Sequence, residues 1–189
     1  MQYPRKSLRR ASSIRRDIDR LLEKIRQGSP VALHLGCGTK PIAGMINADL
    51  HNEAADRQLD AADLHEFTAA SVDLIEHHHL MEHFSFAQVQ KAFQEWARVL
   101  KPGGFLVMTC PDLNQVIRKW RRANTDEQRE KTLQMIYGSQ EHEGMFHKSG
   151  YDLRRVTQLL TQHGFALKYH YAPYPSRSTP SLLVVARRN

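Results

Sequence analysis

The chain of 189 residues is 41% hydrophobic and carries a formal net charge of +7. This size and composition fit one globular domain with a buried core and leave no room for a separate substrate domain. No apolar run approaches the roughly 20 residues that a membrane span needs, and the N-terminus lacks the apolar stretch of a signal peptide, so we expect a cytoplasmic protein. Cys37 and Cys110 are expected to be reduced thiols.

The positive charge is concentrated at the N-terminus, where residues 1–26 contain nine Lys or Arg and three Asp or Glu. Such a segment can contact a polyanion, either nucleic acid or an anionic membrane surface. The alternative is a helix with a solvent-exposed basic face. The apolar residues of the segment recur at helical spacing, which predicts an amphipathic helix that ends at Gly28 and has its arginines exposed to solvent. These apolar residues are Ile14, Ile18, Leu21, Leu22 and Ile25.

Strands and helices alternate along the rest of the chain. The predicted strands are residues 31–35, 45–50, 57–61, 72–77, 105–110, 165–171 and 182–187. The predicted helices are residues 86–100, 113–122, 126–137 and 152–163. Strands separated by helices favour an α/β fold with a doubly wound, mostly parallel sheet.

The first connections of this sheet are unusually short. A parallel crossover normally takes a dozen or more residues, but about nine separate the first two strands and still fewer separate the second and third. We therefore expect the first two crossover helices to be vestigial. An uncovered sheet face is costly, at about 25 cal/mol for each square ångström, so we expect the helix of residues 14–25 to cover it.

A strand that ends in Gly36-Cys37-Gly38, followed by Asp49 at the end of the next strand, indicates a nucleoside site. The glycines allow a tight turn close to a ligand, and a carboxylate can accept both ribose hydroxyls. A dinucleotide fingerprint is excluded, because it needs a third glycine where this chain has Pro41 and an acidic residue about 20 residues on. No Gly-Lys-Ser/Thr follows, which excludes a P-loop.

Further motifs follow in a recognisable order: Asp60-Ala61, His79 with Glu82-His83, and Leu100-Lys101-Pro102-Gly103-Gly104. With the glycine turn, they resemble the class I S-adenosylmethionine-dependent methyltransferases, in particular the small type 11 branch. The resemblance covers residues 31–112 and resumes more weakly from 137 to 165. It implies a seven-stranded, Rossmann-like sheet with an antiparallel last strand. The domains are then a basic segment at 1–27 and a methyltransferase domain at 28–189, with 113–151 as a substrate-side insertion.

The resemblance also implies how S-adenosyl-L-methionine binds. The glycine turn would lie beneath the methionine part, Asp49 would hold the ribose, and Asp60 with the Ala61 amide would read the adenine edge. Asp63 is an alternative to Asp60 as the adenine contact. Whichever of the two does not contact adenine is expected to cap a helix at residues 64–67. The cofactor-binding residues are then Gly36, Cys37, Gly38, Asp49, Leu50, Asp60, Ala61, Asp63 and His79. His34 departs from the family, which often has an acidic residue near this position.

Methyl transfer depends mainly on alignment of the acceptor and exclusion of water, with a general base only for weakly acidic acceptors. Three histidines are candidate bases: His79, His142 and His147. The polar loop at 138–148 resembles a substrate lid. We predict methylation of an oxygen or nitrogen of a small molecule. The alternatives are methylation of RNA or another polyanion, and a cofactor-binding module without turnover.

Histidines are also concentrated after the fourth strand. His79 and His83 have a spacing that suits zinc, and His142 or His147 could supply a third ligand. The family pattern itself carries His and Glu-His here, which favours a role for Glu82 and His83 in shaping the loop. We therefore expect no metal.

Overall fold

The computed structural model describes the backbone of residues 5–174 and 179–189, and the side chains of residues 16–172 and 179–189. The chain divides into two compact units, Met1–Pro30 and Val31–Asn189. The first unit contains helix α1, Arg5–Gln27, which ends where the Gly28 amide bonds the Lys24 carbonyl at 3.2 Å. The side chain of Ile14 lies outside the described residues. That this helix covers the sheet stays a prediction.

The second unit is built on one sheet of seven strands. The strands are β1 (Ala32–Leu35), β2 (Ile46–Asp49), β3 (Arg57–Gln58), β4 (Val72–His78), β5 (Leu100–Pro111), β6 (Phe165–Tyr174) and β7 (Ser181–Arg188). The helices are α2 (Phe86–Val99), α3 (Leu113–Arg121), α4 (Asp126–Tyr137) and α5 (Leu153–Gln162), with 3-10 turns at Met81–His83 and Glu143–Met145. Within the described residues, no helix combines the length and apolar character needed to cross a bilayer.

The strand order is β3-β2-β1-β4-β5-β7-β6. The first five strands run parallel, and β7 runs antiparallel to both of its neighbours. This confirms the predicted α/β class and the antiparallel last strand. Part of the Pro- and Ser-rich loop between β6 and β7, residues 175–178, lies outside the described residues.

The first crossovers contain no helix, as predicted. Residues 36–45, 50–56 and 59–71 are all loops and turns. Side-chain hydrogen bonds hold these loops in place of a helix: Asn47 donates from its backbone amide to Asp56 at 2.8 Å and from its side chain to the Ile42 carbonyl at 3.1 Å. Farther on, Arg98 of α2 donates to the Leu64 carbonyl at 2.9 Å.

Helix α2 packs its apolar side on the sheet. The Ser85 hydroxyl accepts from the Gln88 amide and the Gln88 side chain accepts from the Ser85 amide, so a capping box fixes where the helix begins. The buried residues on α2 are Val89, Ala92, Phe93, Trp96 and Val99. They join one core cluster with residues of the strands, including Leu33, Leu35, Ile75, Leu106, Met108, Cys110, Leu182 and Val184. Cys37 and Cys110 are both buried and free, as expected.

Strand β5 begins at Leu100, five residues earlier than the sequence predicts. Val72 pairs with Leu100 and the next register has Leu74 opposite Phe105, so the residues between them bulge out of the ladder. Gly103 permits this bulge, because its φ is +82°. The Pro-Gly-Gly sequence ends the helix, but it does not delay the strand.

Candidate active site

The glycine turn lies where the carboxyl ends of three parallel strands meet. Strand β1 stands between β2 and β4, which is the point where the connections change direction and where sheets of this type bind ligands. Gly36 and Gly38 have φ values of +63° and +49°. A Cβ atom on Gly36 would lie 2.8 Å from Leu80 Cδ1, whereas one on Gly38 would meet no atom of the described residues within 4 Å. The turn is therefore packed on the Leu80 side and open at Gly38.

Asp49 fastens this turn to the end of β2. Its Oδ2 atom accepts from the Gly38 amide at 2.8 Å, and its Oδ1 atom accepts from the amides of His51 and Asn52 at 2.9 and 3.0 Å. Partial burial works to raise the pKa of this carboxyl, but these amide hydrogen bonds outweigh it and lower the pKa. Asp49 is thus held ionised, and Oδ2 has capacity for one further donor.

The neighbours of this carboxylate differ in what they offer a ligand. Cys37 is buried, and burial followed by the nearby Asp49 charge raises the pKa of its thiol, so the thiol stays protonated. Leu50 is 49% exposed and presents an apolar surface beside Asp49.

His34 is buried beside Asn47 rather than being directed at the glycine turn. Its Nδ1 atom lies 3.1 Å from the Asn47 side-chain oxygen Oδ1, which also accepts from the Ile42 amide. Because that oxygen only accepts, His34 Nδ1 carries the proton in this contact. The alternation of side chains along β1 places Leu33 and Leu35 in the core cluster on the opposite face.

The structure separates the two candidate adenine contacts. The Leu59 amide donates to the Asp49 carbonyl at 3.2 Å, which keeps Asp60 near the glycine turn. Asp63 instead lies near Lys91 and His65, at 3.6 and 3.4 Å. No helix forms at residues 64–67, so the capping alternative is wrong. Asp60 accepts from the Ala62 amide at 2.8 Å in a local turn instead.

Trp96 fixes the loop that carries Asp60. Its indole Nε1 donates to the Ala61 carbonyl at 2.9 Å, and the side chain is fully buried. The position of the loop is therefore set by the core. Sequence reasoning did not identify this contact, because Trp96 lies 35 residues farther along the chain.

The three consecutive histidines occupy different environments. His77 is buried against Trp96, with ring centroids 4.9 Å apart, and burial lowers its pKa to about 3. His78 contacts Glu76 at 2.8 Å and Thr109 at 3.1 Å.

His79 alone of these three has a left-handed backbone, with φ at +53°. This conformation is strained for a residue other than glycine, and residues held in it are concentrated at functional sites. Its Nδ1 atom lies 3.1 Å from Glu82 Oε1, and its Nε2 atom lies 3.2 Å from the Ser181 hydroxyl. The side chain is 37% exposed. Ser181 is a further site residue that the sequence did not indicate.

The other two candidate bases do not join His79 in one cluster. His142 lies in the loop at 138–148, and both it and His51 come within 3.3 Å of a Cβ built on Gly144. This loop therefore reaches the segment that follows Asp49. His147 lies near Glu82, and its Nδ1 atom donates to the Met135 carbonyl at 3.2 Å. Burial is the largest cause of a lowered His147 pKa.

A cleft lies between β5, α3, α4 and the Met81–His83 turn. Its walls are mostly apolar, with a few polar groups from Glu82, His147 and Ser149. The apolar lining residues include Leu113, Val116, Met135, Ile136 and Tyr151. The Tyr151 hydroxyl is engaged with Met81 and Ser149, and burial raises its pKa to about 12, so it is not available as a base.

The chain is similar to known methyltransferases in part of its sequence and in its fold. Residues 33–108 match the family model described as a methyltransferase domain. A Methanosarcina mazei protein described as a SAM-dependent methyltransferase superposes with a TM-score of 0.65 at 16% identity, covering 89% of this chain and 96% of that one. A Pyrococcus horikoshii protein gives a TM-score of 0.64 at 17% identity, with 94% and 91% covered. A search of curated proteins found no match.

A third structure contains ligands. The 1,6-didemethyltoxoflavin-N1-methyltransferase of Burkholderia thailandensis, with bound 1,6-didemethyltoxoflavin and S-adenosylhomocysteine, gives a TM-score of 0.59 at 13% identity, covering 86% of this chain and 73% of that one. The fold is thus that of the class I methyltransferases. The domain match over residues 33–108 and this fold agree with the predicted class, an S-adenosylmethionine-dependent methyltransferase.

Proposed function

We propose that the chain transfers a methyl group from S-adenosylmethionine to an oxygen or nitrogen of a small molecule. The observation that carries the proposal is the joint geometry of the Gly36–Gly38 turn and the ionised Asp49, next to a strained His79. When bound, the cofactor supplies an electrophilic methyl group on sulfur. The protein then has to hold the cofactor, align the acceptor and exclude water.

The residues at the strand ends fit this cofactor. The open space above Gly38 can admit its methionine part, and the remaining lone pair of Asp49 Oδ2 can accept a ribose hydroxyl. The second hydroxyl would then replace an amide donor on Oδ1. Asp60 and the Ala61 amide are assigned to the adenine edge, with the exposed Leu50 side chain beside the base. Asp63 is assigned to its ion pair with Lys91 instead.

We assign the base to His79. The Glu82 carboxylate accepts from Nδ1 and so fixes the tautomer, which leaves the Nε2 lone pair available. An acceptor hydroxyl or amine would then replace the Ser181 hydroxyl, which lies 3.2 Å from Nε2 and donates to the Thr179 carbonyl at 2.9 Å. Nε2 then takes the proton of the acceptor as the methyl group is transferred. This arrangement follows the general logic of an oriented histidine base.

We assign the acceptor to the mouth of this cleft. Mostly apolar walls with a few converging polar groups are typical of small-molecule sites. Residues 113–151 supply most of these walls, which supports their assignment as the substrate-side region. His142, in the loop that reaches His51, is assigned to covering the site rather than to proton transfer.

Calorimetry with S-adenosylhomocysteine tests the cofactor assignment. Asp49→Asn keeps the size of the side chain but removes the charge, and we expect a loss of about 2–3 kcal/mol, or roughly 30- to 150-fold in affinity. Asp63→Asn is the matched control and should bind as the wild type does. Equal affinities for all three proteins would contradict the assignment.

Turnover tests the role of His79. With a panel of phenols and amines as acceptors, His79→Gln should lower kcat while leaving the affinity for S-adenosylhomocysteine unchanged. A His79→Gln variant with the same kcat as the wild type would exclude His79 as the base. Cofactor binding with no turnover on any acceptor would instead favour the module without catalysis.

A further inference from the structure

We propose that Glu82, His83 and His147 form a binding site for one zinc ion. One potential ligand atom from each of the three side chains lies within 4.8 Å of those of the other two. Tetrahedral zinc with bonds of about 2.1 Å places its ligands about 3.4 Å apart. Small side-chain rotations are therefore enough to close the group around an ion. This trio differs from the pairing of His79 with His83 that the sequence suggested.

Both imidazoles have the hydrogen bond that usually supports a metal-bound histidine. His83 Nδ1 lies 3.1 Å from the Phe146 carbonyl, and His147 Nδ1 lies 3.2 Å from the Met135 carbonyl. A carbonyl oxygen can only accept, so each Nδ1 carries the proton and each Nε2 keeps its lone pair. A backbone carbonyl bonded to the outer nitrogen is the usual support for a metal-bound histidine. The two rings are 4.9 Å apart.

Glu82 supplies an independent sign of a missing partner. The residue is 1% exposed, and within the described residues its Oε2 atom has no hydrogen-bond partner. A buried, unsatisfied carboxylate oxygen is costly, and a cation removes that cost. The other oxygen, Oε1, is engaged by His79, so the carboxylate can bridge His79 and an ion.

The donor set selects the kind of ion. Two imidazoles and one carboxylate suit zinc, whereas magnesium and calcium prefer sites made of oxygen ligands. Three protein ligands leave a fourth position open. Glu82 and His147 also line the cleft, so that position can be filled by water or by a group on the acceptor.

The ion would join two distant parts of the chain. Glu82 and His83 belong to the turn after β4, and His147 lies near the end of the loop at 138–148. The backbone already links these segments, because the amides of Lys148 and Ser149 donate to the Glu82 carbonyl at 2.8 and 3.2 Å. Zinc would therefore fix the end of this loop against the turn.

Zinc titration of metal-free, untagged protein by calorimetry tests the site. The wild type should bind one equivalent, and His83→Ala and His147→Ala should each weaken binding at least about tenfold. His142→Ala, a histidine of the same loop outside the trio, should bind as the wild type does. Magnesium should not compete.

Cobalt provides a readout that does not depend on affinity. Cobalt in the trio should give the visible absorption of a tetrahedral site, and this absorption should be absent from His147→Ala. Circular dichroism of each variant establishes that it is folded, and His147→Gln serves if the alanine variant is not. The proposal is overturned if the wild type does not bind zinc, if the His83 and His147 variants bind it as tightly as the wild type does, or if His142→Ala loses as much affinity as they do. It does not depend on cofactor binding, so either proposal can fail alone.

Discussion

His77 should make the protein sensitive to mild acid. Burial lowers its pKa to about 3 from an ordinary value of 6.5. A group with a lowered folded-state pKa contributes stability that is present above 6.5 and is lost as the pH falls toward 3. At 1.36 kcal/mol for each pKa unit, the full loss is about 5 kcal/mol, of which about 2 kcal/mol occurs by pH 5. Urea unfolding at pH 7.5 and pH 5 measures this difference.

The matched variant is His77→Phe, which keeps a ring against Trp96. Within the described residues, both ring nitrogens of His77 are buried without hydrogen-bond partners, so the variant also removes an unfavourable burial. We expect it to be at least as stable at pH 7.5 and to lose about 2 kcal/mol less than the wild type by pH 5. The exposed-residue control, His65→Ala, should keep the wild-type difference. The same pH dependence in His77→Phe as in the wild type would refute this reasoning.

Three further predictions concern the turn, its supporting loop and the acceptor. Gly36→Ala should weaken S-adenosylhomocysteine binding and lower Tm, because the new Cβ would lie 2.8 Å from Leu80. Gly44→Ala is the control for backbone strain alone, because Gly44 has φ at +80° and its Cβ would meet no described atom within 4 Å. Trp96→Phe should cost about 1–3 kcal/mol in urea unfolding, because it leaves the Ala61 carbonyl unpaired; an unchanged midpoint would contradict this. Turnover of a small acceptor should change little between about 50 and 200 mM salt, whereas a steep fall would favour a polyanion.

The positions of the first strands along the chain followed from local patterns. Gly36-Cys37-Gly38 marks the end of β1 and Asp49 the end of β2, and the few residues between them leave no room for a helix. These features depend on neighbours in sequence, so hydrophobic runs and glycines were enough to predict them. The early start of β5 did not follow, because a bulge that keeps Leu100 in the sheet is set by pairing with Val72, not by the Pro-Gly-Gly sequence.

The site could be predicted only where its residues are adjacent to strand ends. Asp60 and Asp63 are equivalent by sequence, and the choice between them depends on Lys91, which belongs to α2. The partners of His79 and His83 also come from far along the chain: Ser181 for the first and Phe146 for the second. Tertiary packing determines these contacts, and no local pattern encodes them.

The most direct test of the account is a crystal structure with S-adenosylhomocysteine bound. We expect the ribose hydroxyls on the Asp49 carboxylate, the adenine edge beside Asp60 and Ala61, and the sulfur facing His79 Nε2. A nucleoside bound elsewhere, with Asp49 still bonded only to the amides of Gly38, His51 and Asn52, would contradict the proposed site.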